Sequence, residues 1–228
     1  MKLLKALAIA AALAAAFGGS AQAQVRITEV APWSSGNSPV AAADWFEVTN
    51  FGASAVDITG WKVDDNSNLF TSSVALNGIT SIAAGQSVIF IEASASNPPA
   101  TVTTNFVNNW FGGIAPASLA IGTYTGTGIG LGTGGDAVNL YNAAGVLQTR
   151  VLFGASPVAA PFATFDNSIG ADNVTLTGLS IVGTNGAFSV ASGNEIGSPS
   201  AVPEPETYAM LLAGLAVIGG IARRRKAA

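Results

Sequence analysis

An all-β fold, a sandwich or a barrel, is what this chain predicts, on three observations. Short runs of β-branched and aromatic residues follow one another from Val25 onward, Gly, Asn, Ser and Pro break them at close intervals, and helix signals are scarce between the two ends of the chain. Each end carries its own apolar segment, so the sandwich is expected to be flanked by an N-terminal signal helix and a C-terminal apolar helix.

The elements follow in order. Lys2 and Lys5 precede the apolar run 6–17, and Ala21 and Ala23 are the small residues that a signal peptidase requires. Residues 1–23 therefore read as a cleaved secretory signal. A first strand is expected at 25–30 and a second at 44–49, where Phe46 and Val48 share one face and Trp45 and Glu47 the other. A third is expected over 55–63, with Gly60 marking a bulge or bend. Residues 70–76 and 79–82 flank the tight-turn signal Asn77-Gly78, and 87–92 is the most strand-like stretch of all.

Residues 94–104 read as a loop centred on Pro98-Pro99, and 106–111 as a helical turn or a short strand, since the period does not decide. Between positions 112 and 135 there are nine glycines, which predicts a loop, packed through Ile114, Leu119, Ile121, Tyr124, Ile129 and Leu131. Residues 136–141 and 146–153 form a hairpin about the 142–145 turn, with Val138 and Leu140 able to face Leu147, Val151 and Phe153. From 154 to 200 the chain is looser, with weak strands at 174–179 and 187–190, and Ser198-Pro199-Ser200 opens a linker. The expected units are 1–23, 24–154, 155–200 and 201–228.

Charge and composition exclude several functions. The formal net charge is −4, but six of the nine basic residues lie in the two ends. Between Gln24 and Ser200 only Arg26, Lys62 and Arg150 oppose eleven acids, a net charge of −8. Nucleic acid is not an expected partner, because its binding rests on clustered Lys and Arg that release counterions. The chain has no Cys and no His, which removes disulfides, thiolate zinc sites and the Ser-His-Asp and Cys-His nucleophile systems.

The C-terminal 27 residues carry the most specific pattern. Val202-Pro203-Glu204-Pro205-Glu206 is followed by an apolar run, then by Arg223, Arg224, Arg225 and Lys226. As a helix the 15 residues 208–222 span about 22 Å, short of a hydrocarbon core of about 30 Å. The basic cluster stops at the cytoplasmic side of a membrane, leaving the body outside. Pro203 and Pro205 hold the junction extended. This tail resembles the PEP-CTERM sorting signal of Gram-negative bacteria. The resemblance implies transient anchoring in the inner membrane, recognition by an exosortase-type transpeptidase at Pro203, Glu204 and Pro205, and delivery to the cell surface, outer membrane or matrix, often beside exopolysaccharide. The alternative is a single-span anchor that is never cut.

The body resembles the bacterial branch of the lamin tail domain. The motifs are Val25-Arg26-Ile27-Thr28-Glu29-Val30-Ala31-Pro32, Asp44-Trp45-Phe46-Glu47-Val48-Thr49-Asn50 and Ile58-Thr59-Gly60-Trp61-Lys62-Val63. To these add Ile82-Ala83-Ala84-Gly85-Gln86-Ser87-Val88-Ile89-Phe90 and Gly135-Asp136-Ala137-Val138-Asn139-Leu140-Tyr141. That resemblance implies an immunoglobulin-like β-sandwich over about residues 25–154, used for binding and display.

Candidate chemistry is sparse. Asp44 and Glu47, three apart in one strand, point to opposite faces and read as solvated or capping carboxylates. Gly130, Gly132 and Gly135 satisfy G-x-G-x-x-G, but Asp136 opens a strand where a dinucleotide site needs a helix. Asp64, Asn66 and Asn68 match the first ligand positions of a calcium loop, yet Leu69 and Ala75 stand where Gly and Glu belong. A looser calcium site of Asp64, Asp65 and Asp136 is the surviving metal hypothesis. Trp45 and Trp61 are expected in the core, and Trp33 and Trp110, beside loops, are the candidates for stacking on a sugar ring. The sequence thus predicts an exported, non-enzymatic binding or structural module; the alternative is a metal- or carboxylate-dependent hydrolase of an extracellular polymer.

Overall fold

The computed structural model describes residues 25–33, 43–191 and 193–200, and two five-stranded sheets carry the fold. The first sheet is built from β1 (Val25–Ala31), β2 (Trp45–Asn50), β7 (Ser87–Ala93), β8 (Ile121–Thr125) and β12 (Phe165–Asp166), in the order β12-β1-β2-β7-β8. The second contains β4 (Lys62–Asp64), β5 (Val74–Ala75), β9 (Asp136–Tyr141), β10 (Leu147–Phe153) and β13 (Val174–Leu176), in the order β13-β10-β9-β4-β5. Two smaller ladders join β3 (Val56–Asp57) to β6 (Ser81–Ile82), and β11 (Phe162–Ala163) to β15 (Glu195–Gly197) and β14 (Phe188–Ser189). The signal helix and the apolar tail helix expected at the two ends lie outside the described residues.

Alternation along the strands makes the sandwich. Val25, Ile27, Phe46, Val48, Val88 and Phe90 point from the first sheet into one buried cluster with Val63, Val138, Leu140, Val151, Phe153 and Leu176 of the second. Each such side chain contributes about 1.5–3 kcal/mol by leaving water. The predicted hairpin is present, with Val138 opposite Val151. A register shift between Leu147 and Thr149 puts Leu147 at 41% exposure, so it does not face Val138 and Leu140 across the core.

The outer face of the first sheet is covered, which the sequence did not lead us to expect. Residues expected as a loop and an undecided segment instead form one helix, α1 (Pro99–Phe111). Pro99 takes the first turn, where its missing N–H costs nothing, and Gly112 closes the end in the left-handed region at φ +60°. Val102, Phe106 and Trp110, four apart, face the sheet and pack with Trp33, Trp45, Ile89 and Ile91 in a second buried cluster. Phe106 and Trp110 both meet the Trp45 ring edge-on, at 5.5 and 5.6 Å between centroids. Among the described residues no helix is long and apolar enough to cross a membrane.

Three further expectations change. The strand expected at 55–63 is two short strands in different ladders, separated where Gly60 turns at φ +74° with Ala143 too close to admit a side chain freely. Of residues 70–76 only Val74–Ala75 pairs. The glycine-rich stretch contains β8, parallel to β7, and only its remainder is a loop, in which Ile129 and Leu131 are buried and Ile114 is exposed. Residues 155–200, read as loose, supply one edge strand to each sheet and a cover to the first.

Candidate functional site

The polar side chains on the outer face of the first sheet converge beneath the C-terminal end of the body. In β1, Val25, Ile27 and Val30 all face the sandwich core, a spacing that strict alternation forbids. A bulge resolves it. Ile27 pairs with Val48 and Glu29 with Glu47, so Thr28 is an extra residue on β1. Under strict alternation through Thr28, Glu29 would fall on the core face; with the bulge, Glu29 lies on the outer face directly across from Glu47. Glu29 is 0% exposed and Glu47 2%.

Residues 195–200 form a strap across these two carboxylates. Glu29 accepts from the backbone N–H of Ser198 at 2.7 Å, from the Ser198 hydroxyl at 3.2 Å and from the Thr164 hydroxyl. Glu47 accepts from the backbone N–H of Ser200 at 2.6 Å and from the Thr28 hydroxyl at 2.8 Å. A hydroxyl chain continues through Thr28, Thr49 and Ser87, with spacings of 3.0 and 2.7 Å. The strap sits so low because residue 197 is glycine. A Cβ there would come within 2.7 Å of the Glu29 carboxylate, 2.9 Å of Thr164 and 2.9 Å of the Trp110 ring. Glu195, also buried, accepts from the Asn109 side chain of α1, tying strap to helix.

Burial dominates the electrostatics. It pushes Glu29 up to about 7, opposed by hydrogen bonds from Thr164 and Ser198, with the Asp166 charge adding to the rise. Glu47 is pushed up to about 8, first by burial and then by the Glu29 charge, against hydrogen bonds from Thr28, Ser200 and Ser87. The two face each other as like charges, so near neutrality the pair holds protons that the same groups release in water. Chemically the arrangement grips backbone amides and stores a proton; both carboxylates are closed off by the strap.

The predicted site residues fall elsewhere. Asp64 accepts from the Ser67 hydroxyl and the Leu69 amide, Asp65 from the Ser67 amide, and Asp136 from the amides of Asn66, Gly132 and Ala137. These bonds cap turns, while Asp64 Oδ1 is buried without a hydrogen-bond partner; among the described residues no group of three or more acids is placed to hold a metal ion. The hydrogen bonds recorded for Asp64, Asp65 and Asp136 are those of turn caps, and Asp136 reaches the 64–68 turn through the Asn66 amide. Trp33 and Trp110 are core residues. At 1% and 4% exposure, packed against Phe162 and Trp45, they have no ring face to offer a sugar. Asp44 and Glu47 are not solvated either: both are buried, and Asp44 holds the Leu131 amide at 3.0 Å. Ala21, Ala23, Pro203, Glu204, Pro205, Arg223, Arg224, Arg225 and Lys226 lie outside the described residues.

Sequence reasoning missed Glu29 and Glu47 as a pair, and a signal was present. Each is an acid inside a strand with apolar residues on both faces, which needs a polar partner once the second face is covered. Ser198-Pro199-Ser200 has the composition of a linker, which hides the strap in the sequence.

The family model of the Lamin Tail Domain matches residues 19–155, and that of the PEP-CTERM protein-sorting motif matches residues 201–226. No curated protein matches the chain. The carboxylates thus lie inside the first match, and the strap, at the end of the interval 156–200, stops directly before the second.

Proposed function

Since the chain belongs to the lamin tail domain family and carries a PEP-CTERM sorting motif behind that domain, we propose that it is a non-enzymatic display module. The sorting motif makes it an exported protein processed by an exosortase-type enzyme. Its immunoglobulin-like sandwich is the cargo, set on the cell surface or in the extracellular matrix, where it acts by binding or as structure. One observation carries the reading. The last described residue, Ser200, is bonded to Glu47 of the sandwich, and the sorting motif begins at the next position. Nothing separates the address from the folded body.

Fractionation of producing cells tests the sorting half. The body of the native chain is expected at the surface or in the medium, and that of a Pro203→Ala, Pro205→Ala variant in the inner membrane; equal distribution of the two removes the reading. For the other half, the exported protein is incubated with polysaccharide, phosphoester and peptide substrates, with and without divalent cations. No turnover is expected. Turnover that disappears in Glu47→Gln would establish a carboxylate-dependent hydrolase instead. Retention in the matrix after high-salt and detergent washing separates a structural partner of exopolysaccharide from a soluble binder.

A further inference from the structure

The strap runs toward an open groove. Its walls are residues 83–87, the turn between β6 and β7, and residues 117–120, the approach to β8, with Ser200 on its rim and a volume of about 390 Å³. That size is in the range that holds a small ligand. No charged side chain lines it, and Ala83, Ala84, Ala117, Leu119 and Ala120 make much of its surface apolar. Ser200 is not free to swing: its amide is fixed on Glu47, and the Ser198 amide is fixed on Glu29. Residue 201 must therefore start within one Cα step, about 3.8 Å, of a groove rim whose position the buried carboxylates set.

We propose that this groove is the docking site for residues 201–205, the first residues of the sorting motif, laid extended along it. The sequence fits the occupant. Pro203 and Pro205 favour an extended path and have no N–H that would need a partner. Ala201, Val202 and Pro203 are uncharged and mostly apolar, like the groove, while Glu204 and Glu206 have no cationic partner among its lining residues and turn to solvent. The motif is then presented on the sandwich surface, its acidic edge outward, between the 83–87 and 117–120 loops. A processing enzyme meets both the motif and those loops, or must lift the segment before cutting it.

The chain has no cysteine, so an engineered pair forms one disulfide or none. In the full chain held in detergent, Pro203→Cys with Ser118→Cys is expected to cross-link at least tenfold faster than Pro203→Cys with Val146→Cys, on the hairpin of the other sheet. Filling the groove with Ala84→Trp, at an exposed position, is expected to slow the first pair at least tenfold. An unchanged rate in Ala84→Trp would mean that the segment reaches Ser118 without docking. Cross-linking only between molecules would mean that a second copy's tail occupies the groove. Either result overturns the proposal, and neither touches the fractionation test of surface display.

Discussion

Raising the pH from 5 to 9 should destabilise this protein, because the folded state holds protons on Glu29 and Glu47 that the unfolded chain has released. The sign follows from the direction of the shifts. Both carboxyls start from an ordinary value of 4.5 and rise to about 7 and about 8 in the fold. Their stabilising contribution is complete below pH 4.5 and is lost as pH climbs through the folded values. Each pKa step corresponds to about 1.4 kcal/mol. Because part of the Glu47 rise is caused by the Glu29 charge, the two do not simply add, and the loss for the pair is on the order of 5 kcal/mol. For a chain of this size about 2–4 °C follows each kcal/mol, so thermal melts should fall by about 10–20 °C across the window. Glu47→Gln isolates the cause. Its amide carbonyl can accept from the Ser200 N–H as Glu47 does, and the Thr28 hydroxyl, a donor to the native carboxylate, can rotate to accept from its NH2, while the second charge is removed. The variant should lose less than half as much melting temperature between pH 5 and 9 as the native protein. A native melting temperature that is flat or rises over that window, or an identical slope in Glu47→Gln, refutes the assignment of these protons.

Gly197→Ala should lift the strap, since its Cβ has nowhere to go between Glu29, Thr164 and Trp110; a loss of about 1–3 kcal/mol in denaturant melts is expected, with faster protease cleavage after residue 190. Trp110→Ala should cost about 3–5 kcal/mol by emptying the space between α1 and Trp45, and leave any affinity for glycans, measured on an array, unchanged in the fraction that remains folded. Calcium should neither release heat in titration nor move the melting temperature, because Asp64 and Asp136 already hold backbone amides; a clear upward shift would reinstate the site.

Strands whose two-residue period is unbroken were legible. Phe46 and Val48 face one core and Trp45 the other, and the 136–153 hairpin stands where its turn signal put it. What alternation could not reveal was a change of count. Thr28 and the shift near Leu147 each insert one residue into a ladder, and nothing in the composition of either strand marks it. The helix was hidden for a different reason. Its Thr and Asn residues are weak helix formers, and its stability comes from Val102, Phe106 and Trp110 meeting Trp45, contacts about 60 positions away in the chain. Pro99 could have been read as a helix start. The strap was least legible, since its hold on the sheet is made by backbone amides, which every sequence has.

The carboxylates and the amides that close over them are separated by 169 and 153 positions in the chain. Synthesis runs from the N-terminus, so β1 and β2 exist long before Ser198 and Ser200 do. Until those last residues are in place, neither Glu29 nor Glu47 has the backbone amide that closes over it. Closure over the pair therefore needs the very end of the body, residues 198–200, which stand directly before the sorting motif. A body cut short by even three residues before its address would leave both carboxylates without their strap amides.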